Sequence, residues 1–137
     1  MPDVTVVRRM RFNAAHRVHN PALSDEENRR LFGKCNNPHG HGHNYELEVF
    51  VTGGIDPVTG YVIDLGQVKA IVTEWIVNEL DHRHLNHDVP FLQGINPTTE
   101  NLVVAIWNVL APRIAPGRLS KLRLWETENN PVEYEGR

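Results

Sequence analysis

The chain has 137 residues, a formal net charge of −3 with histidine neutral, and 40% hydrophobic against 23% charged side chains. That composition predicts one globular domain over residues 1–137, long enough to bury a core without disulfides or a structural metal. It excludes general disorder, the basic surface of a nucleic-acid binder, and a membrane-spanning helix, because no apolar run approaches the roughly 20 residues a span needs.

The first residues alternate apolar and polar and lack the apolar block of a signal peptide. From Val4 to His16 the alternation continues, so Val4, Val6, Met10, Phe12, Ala14 and His16 share one face of a predicted strand. Residues 21–42 are polar and read as a long loop with one helical turn near Asp25 to Leu31; loops of that length are usually functional or disordered. A second strand is predicted from about His43 to Thr52, with Tyr45, Leu47, Val49 and Val51 on one face and Glu46 and Glu48 on the other. Asp64 is a candidate cap for a helix over 65–80, whose Leu65, Val68, Ile71, Val72, Trp75, Ile76 and Leu80 recur at helical spacing. After a His- and Pro-rich connection, Thr98 or Thr99 caps a second helix reaching about Leu110. Two late strands, about 119–126 and 132–135, flank an Asn129-Asn130-Pro131 turn. The predicted order is β-β-α-α-β-β, an α+β fold with an antiparallel sheet and two helices on one face.

Eight histidines in so short a sequence are unusual, and their placement matters more than their number. His41 and His43 share parity with Tyr45 and Leu47, and His16 ends the apolar face of the first strand. Antiparallel pairing of the two strands would bring all three imidazoles to one sheet end. Three histidines and an open position form the ligand set of a catalytic zinc, and nitrogen donors without thiolates favour zinc over Mg²⁺ or Ca²⁺. His39 has the same parity and stays a candidate ligand on spacing alone. A bare His-Gly-His turn with solvated rings is the plainer alternative.

Cys35 is the one cysteine present, so no intrachain disulfide forms, as suits a reducing cytoplasm. Its neighbours Lys34, Asn36 and Asn37 make a polar, partly cationic setting in which a thiolate is favoured, although a lone cysteine is often simple filler and a zinc ligand is a third use. Asp81 and His82 form an adjacent carboxylate–imidazole pair suited to proton transfer, provided that the two side chains touch. Glu126 shares parity with Leu122 and Leu124; it is either half of a structural ion pair or a carboxylate for a planar two-donor ligand edge. His84 and His87 read as solvated loop histidines.

Taken together, these residues resemble the 6-pyruvoyl-tetrahydropterin synthase family over nearly the whole sequence. The similarity runs through Phe12-Asn13-Ala14-Ala15-His16, Leu23-Ser24-Asp25-Glu26-Glu27-Asn28 and Gly33-Lys34-Cys35-Asn36-Asn37-Pro38. It continues in His41-Gly42-His43-Asn44-Tyr45, Asp56-Pro57-Val58-Thr59-Gly60, Leu80-Asp81-His82, Thr98-Thr99-Glu100-Asn101 and Glu126-Thr127. The resemblance implies Zn²⁺ on His16, His41 and His43, Cys35 as base, and Asp81 and His82 as its proton-transfer partners. It also implies a pterin ring anchored by Glu126 with Thr98 and Thr99. The implied fold is the tunnelling fold, in which trimers close a barrel and two trimers stack into a homohexamer with active sites between subunits. The implied reaction is conversion of 7,8-dihydroneopterin triphosphate to 6-pyruvoyl-tetrahydropterin in the cytoplasm, a step toward tetrahydrobiopterin, with no nucleic-acid or membrane partner.

A second branch of the family, the 6-carboxy-tetrahydropterin synthases of the queuosine and deazapurine pathway, shares substrate and metal site but releases acetaldehyde. Five residues, Asn36 to Gly40, separate Cys35 from His41, and this spacing and the Glu126-Thr127-Glu128-Asn129-Asn130 turn resemble the pyruvoyl branch. A reading of another class is a non-catalytic zinc-stabilised binding module with Cys35 as fourth ligand.

Overall fold

The computed structural model describes residues 2–137. Its frame is a long hairpin-like pair: β1 (Asp3–His16) runs antiparallel to β2 (His41–Gly54), with Asp3 opposite Gly54 and His16 opposite His41. Both strands extend beyond the bounds that apolar alternation predicts, because ladder hydrogen bonds continue the pairing past the residues that pack. β4 (Arg118–Thr127) continues the sheet beside β2 with a bulge between Phe50 and Val51, and β5 (Asn130–Tyr134) closes it. Pro131 stands within β5 rather than in the turn; it is tolerated there because β5 is an edge strand. With a short β3 at Arg83–His84, the sheet order is β3-β1-β2-β4-β5.

β3 (Arg83–His84) has no counterpart among the predicted elements. It is a two-residue strand parallel to Ala14–Ala15 of β1, too short to show a period, and it takes His84 out of the solvated loop to which spacing assigns it. His84 is half-buried, its ring stacked on His87 at 4.4 Å between centroids.

Three helical segments join the strands. α1 (Asp25–Phe32) is a full helix rather than one turn, because Ser24 and Glu27 form a reciprocal capping box and Asp25, Glu26 and Glu27 occupy its first turn. α2 (Leu65–Val72) starts at the Asp64 cap, whose side chain accepts the Gly66 N–H at 2.8 Å. It runs through a π-helical stretch, Thr73–Val77, into the short α3 (Asn78–Leu80). Of the predicted stripe, Val68, Val72, Ile76 and Leu80 are buried, whereas Leu65 and Trp75 lie at the surface, Trp75 under the Arg113 guanidinium at 3.7 Å. α4 (Thr99–Leu110) is capped by Thr98, which accepts the Asn101 N–H.

α2, α3 and α4 cover one face of the sheet. Val68, Val72, Ile76, Leu102, Ile106 and Leu110 pack with Leu47, Val49, Val51, Leu122 and Leu124 into a core cluster. Burial of each such residue is worth about 1.5–3 kcal/mol. The other face of the sheet is polar, and it is organised by Glu48, only 5% exposed. Glu48 accepts the Trp125 indole N–H at 2.6 Å and lies 3.4 Å from Arg123 and 3.7 Å from Arg9. Alternation places Glu48 on the polar face but gives no sign that partners enclose it there.

Candidate active site

The strand register brings His16 directly opposite His41 and Ala14 opposite His43, so the three imidazoles meet at the helix-facing end of the β1–β2 pair. Their ring centroids are 4.6, 5.0 and 4.8 Å apart. His16 is 1% exposed, and its Nδ1 donates to the Pro97 carbonyl at 2.7 Å. That bond sets the tautomer: the proton sits on Nδ1, and Nε2 turns its lone pair into the cluster, 3.1 Å from His41 Nε2.

Two further nitrogens, His41 Nδ1 and His43 Nε2, are buried without a hydrogen-bond partner. Burial lowers the pKa of His16, an effect the Pro97 bond opposes, and burial likewise lowers that of His43 against the opposing charge of Glu126. Enclosed nitrogens without a partner are costly unless something meets them. A cation does so, and His16, His41 and His43 can hold a metal ion, with one ligand atom from each inside a 4.8 Å group.

His39 is excluded from this cluster by the backbone. Gly40, at φ +77, turns the backbone just before β2 begins, so the strand alternation does not reach back to His39, which is exposed. A side chain at residue 40 would collide with His84 Nε2 and the His16 carbonyl, at 2.8 and 3.0 Å from its Cβ.

Glu126 does end the apolar face of β4, beside the histidines. Its Oε1 lies 3.4 Å from His43 Nε2, and its Oε2 accepts a short hydrogen bond from the Thr99 hydroxyl. Thr99 is thus directed at Glu126, while the neighbouring Thr98 hydroxyl oxygen is engaged in capping α4.

Asp81 and His82 do touch: His82 Nδ1 is 2.8 Å from Asp81 Oδ2. Both are latched to β1, where Asp81 Oδ1 accepts the Asn13 N–H at 2.8 Å and His82 N–H donates to the Asn13 carbonyl at 2.6 Å. This grip holds His82 at φ 61, in the left-handed region that non-glycine residues rarely enter. The Asn13 N–H above all, with help from His82, holds the Asp81 carboxyl below its ordinary pKa.

Cys35 is exposed, on a 3₁₀ turn (Gly33–Asn36) that follows α1. Within one protomer no described hydrogen bond or ion pair joins Cys35 to Asp81 or His82, or any of these to the histidine cluster. Two buried asparagines are not marked out by the sequence. Asn28 is fully buried and bonds Asn20, Leu23 and Ser24, and Asn36, 4% exposed, bonds Val18 and His19. Their only sequence signal is an amide inside a loop otherwise rich in charge, which does not separate a buried clamp from a solvated turn.

A family model described as 6-pyruvoyl tetrahydropterin synthase matches residues 5–137. A 6-pyruvoyl tetrahydrobiopterin synthase of Homo sapiens is 50% identical over 131 residues, covering 96% of this chain and 90% of the relative. A dihydroneopterin monophosphate aldolase of Pyrococcus furiosus is 38% identical over 135 residues, covering 95% and 96%. The solved structure of a 6-pyruvoyl tetrahydropterin synthase from Caenorhabditis elegans superimposes with a TM-score of 0.94 at 40% identity, covering 100% of this chain and 98% of that one.

Proposed function

Since the chain belongs to the 6-pyruvoyl tetrahydropterin synthase family and is an enzyme of that lyase type, we propose that it converts 7,8-dihydroneopterin triphosphate to 6-pyruvoyl-tetrahydropterin with zinc held by His16, His41 and His43. The observation that carries this reading is the trio of imidazoles, His16 buried and His41 and His43 half-buried with one enclosed, unpaired nitrogen each, beside the Thr99-anchored carboxylate of Glu126. Nitrogen donors alone, with no thiolate among them, fit zinc as an open catalytic site. Bound there, zinc supplies Lewis-acid polarisation of the hydroxyl and carbonyl oxygens of the pterin side chain.

The protein's own groups do the rest. The Glu126 carboxylate presents two acceptor oxygens to the adjacent N–H donors of the aminopyrimidine edge, and the Thr99 hydroxyl orients it. Thr98 lies one residue away at the helix cap and completes the proposed pterin wall. The Cys35 thiolate removes a proton from carbon on the pterin's substituent, and Asp81 with His82 returns protons while triphosphate departs. Asp81, by accepting from His82 Nδ1, leaves Nε2 of that ring to face the reaction.

Since no described hydrogen bond or ion pair joins Cys35 to Asp81 or His82 within one protomer, the complete site is proposed to form between subunits. The outer edge of β1 supports this: β3 pairs only with Ala14 and Ala15 and Asn13 is bonded by Asp81 and His82, so among the described residues no strand covers that edge before Asn13. A trimeric barrel, stacked as a hexamer, would cover that edge and the polar sheet face. Among the described residues no helix is long and apolar enough to cross a membrane, and a cytoplasmic location is proposed.

The test is the product. Incubation with 7,8-dihydroneopterin triphosphate followed by mass spectrometry should find 6-pyruvoyl-tetrahydropterin and inorganic triphosphate. A 6-carboxy product with acetaldehyde would assign the protein to the carbon–carbon-cleaving branch instead.

A further inference from the structure

The 3₁₀ turn that carries Cys35 is four residues long and starts at Gly33, φ +55, so its own backbone offers little to hold a side chain in place. It is held instead by the segment that leaves the metal-site strand. Val18 N–H donates to the Cys35 carbonyl at 2.8 Å, and Asn36 Nδ2 donates to the Val18 carbonyl at 2.9 Å. The same amide donates to His19 Nδ1 at 2.9 Å, and Arg17 Nε donates to the Asn36 carbonyl at 3.0 Å. Val18 is buried two residues after His16, which is itself locked by Pro97. A rigid path of two residues therefore links a candidate metal ligand to the cysteine turn, and the Asn36 amide is its fastening.

From this geometry we infer that Asn36 is a positioning residue: it fixes the Cys35 thiol relative to the histidine cluster. The inference rests on the reading of Cys35 as the base. Without the amide, the buried Val18 carbonyl loses its partner and the turn is tied by main-chain bonds and Arg17 alone. A displaced base costs about 10- to 100-fold in rate even when substrate still binds.

Asn36→Ala, and Asn36→Asp, which keeps the volume but removes both donors, should retain zinc and bind 7,8-dihydroneopterin as the wild type does. Their kcat should fall about 10- to 100-fold with KM little changed. Because Cys35 is the one cysteine present, its alkylation by iodoacetamide is read as a single adduct on the intact mass. Bound dihydroneopterin should shield the wild-type thiol and fail to shield it in both variants. Should Asn36→Ala not fold, His19→Phe, which removes one acceptor and leaves the Val18 bond, should show the same loss of shielding in part.

Wild-type kcat and shielding in a folded Asn36 variant, or full shielding in His19→Phe, would overturn the inference. Wild-type turnover by Cys35→Ala would overturn the underlying base assignment instead. An inactive Cys35→Ala beside an unimpaired Asn36→Ala would remove the positioning role alone.

Discussion

At the scale of single residues, each candidate has a distinct signature. Replacing His16, His41 or His43 by Ala should strip zinc from the purified protein, while His39→Ala should keep it, since that ring stands outside the cluster; metal analysis checks the ranking. Cys35→Ala removes a proposed base and no ligand. It should keep its zinc and its fold and lose about 10²- to 10⁴-fold in kcat, and steady-state kinetics beside metal analysis would show whether activity and zinc separate. His16 and His43 also set a pH dependence in the metal-free protein. The pKa values of His16 and His43 are lowered from 6.5 on folding, chiefly by burial, so below that value the unfolded state binds protons that the folded state declines. Unfolding thus takes up protons, and stability falls as the pH drops from 6.5 through the lowered folded values. Melting temperatures of chelator-treated protein should decline over that window, and a flat profile would mean that the two rings are not held neutral.

At the scale of elements, the connection between β1 and β2 is the informative one. Polar composition there predicts a long loop with one helical turn, whereas α1, the 3₁₀ turn and two buried asparagines build it. Asn28 accounts for much of that order, because its amide satisfies the Asn20, Leu23 and Ser24 carbonyls and accepts the Asn20 N–H. Asn28→Ala takes this partner from the Leu23 carbonyl and the Asn20 N–H, and should cost about 1–3 kcal/mol in denaturant unfolding. Loss below a few tenths of that range would show the loop held by other contacts. α4 illustrates an economy of placement: Thr98 caps the helix while the next hydroxyl, on Thr99, anchors Glu126. The helix start and the proposed pterin anchor are therefore joined by a hydrogen bond.

For the molecule as a whole, the lack of any described bond between Cys35 and Asp81 or His82 within one protomer leads to a complementation test. Cys35→Ala and His82→Ala should each be nearly inactive alone. Mixed assemblies of the two should recover activity, because a site between subunits can draw Cys35 from one protomer and His82 from its neighbour; in a random mixture about a quarter of sites are intact. No recovery in verified mixed assemblies would place the complete site in a single protomer. The polar sheet face is consistent with such an assembly: Glu48 is already enclosed by Trp125, Arg123 and Arg9, an ordered charge network rather than a dispersed solvent face.

The sequence by itself determined the α+β class, the two long first strands, the Asp64 cap and the faces that bring His16, His41 and His43 together once those strands pair. These follow from local periodicity and from capping chemistry, and a strand period of two leaves a residue little choice of face. The family resemblance extended that reading to Cys35, Asp81, His82 and Glu126. Only the tertiary structure decided that His39 stands apart, that Asp81 and His82 touch, that β3 exists, and that Glu48, Asn28 and Asn36 are enclosed. Those outcomes depend on a glycine at positive φ, on the Asn13 backbone, and on partners up to 77 residues away along the sequence. No local pattern encodes such contacts, because a buried amide or carboxylate is distinguished from a solvated one solely by what the rest of the fold brings to meet it.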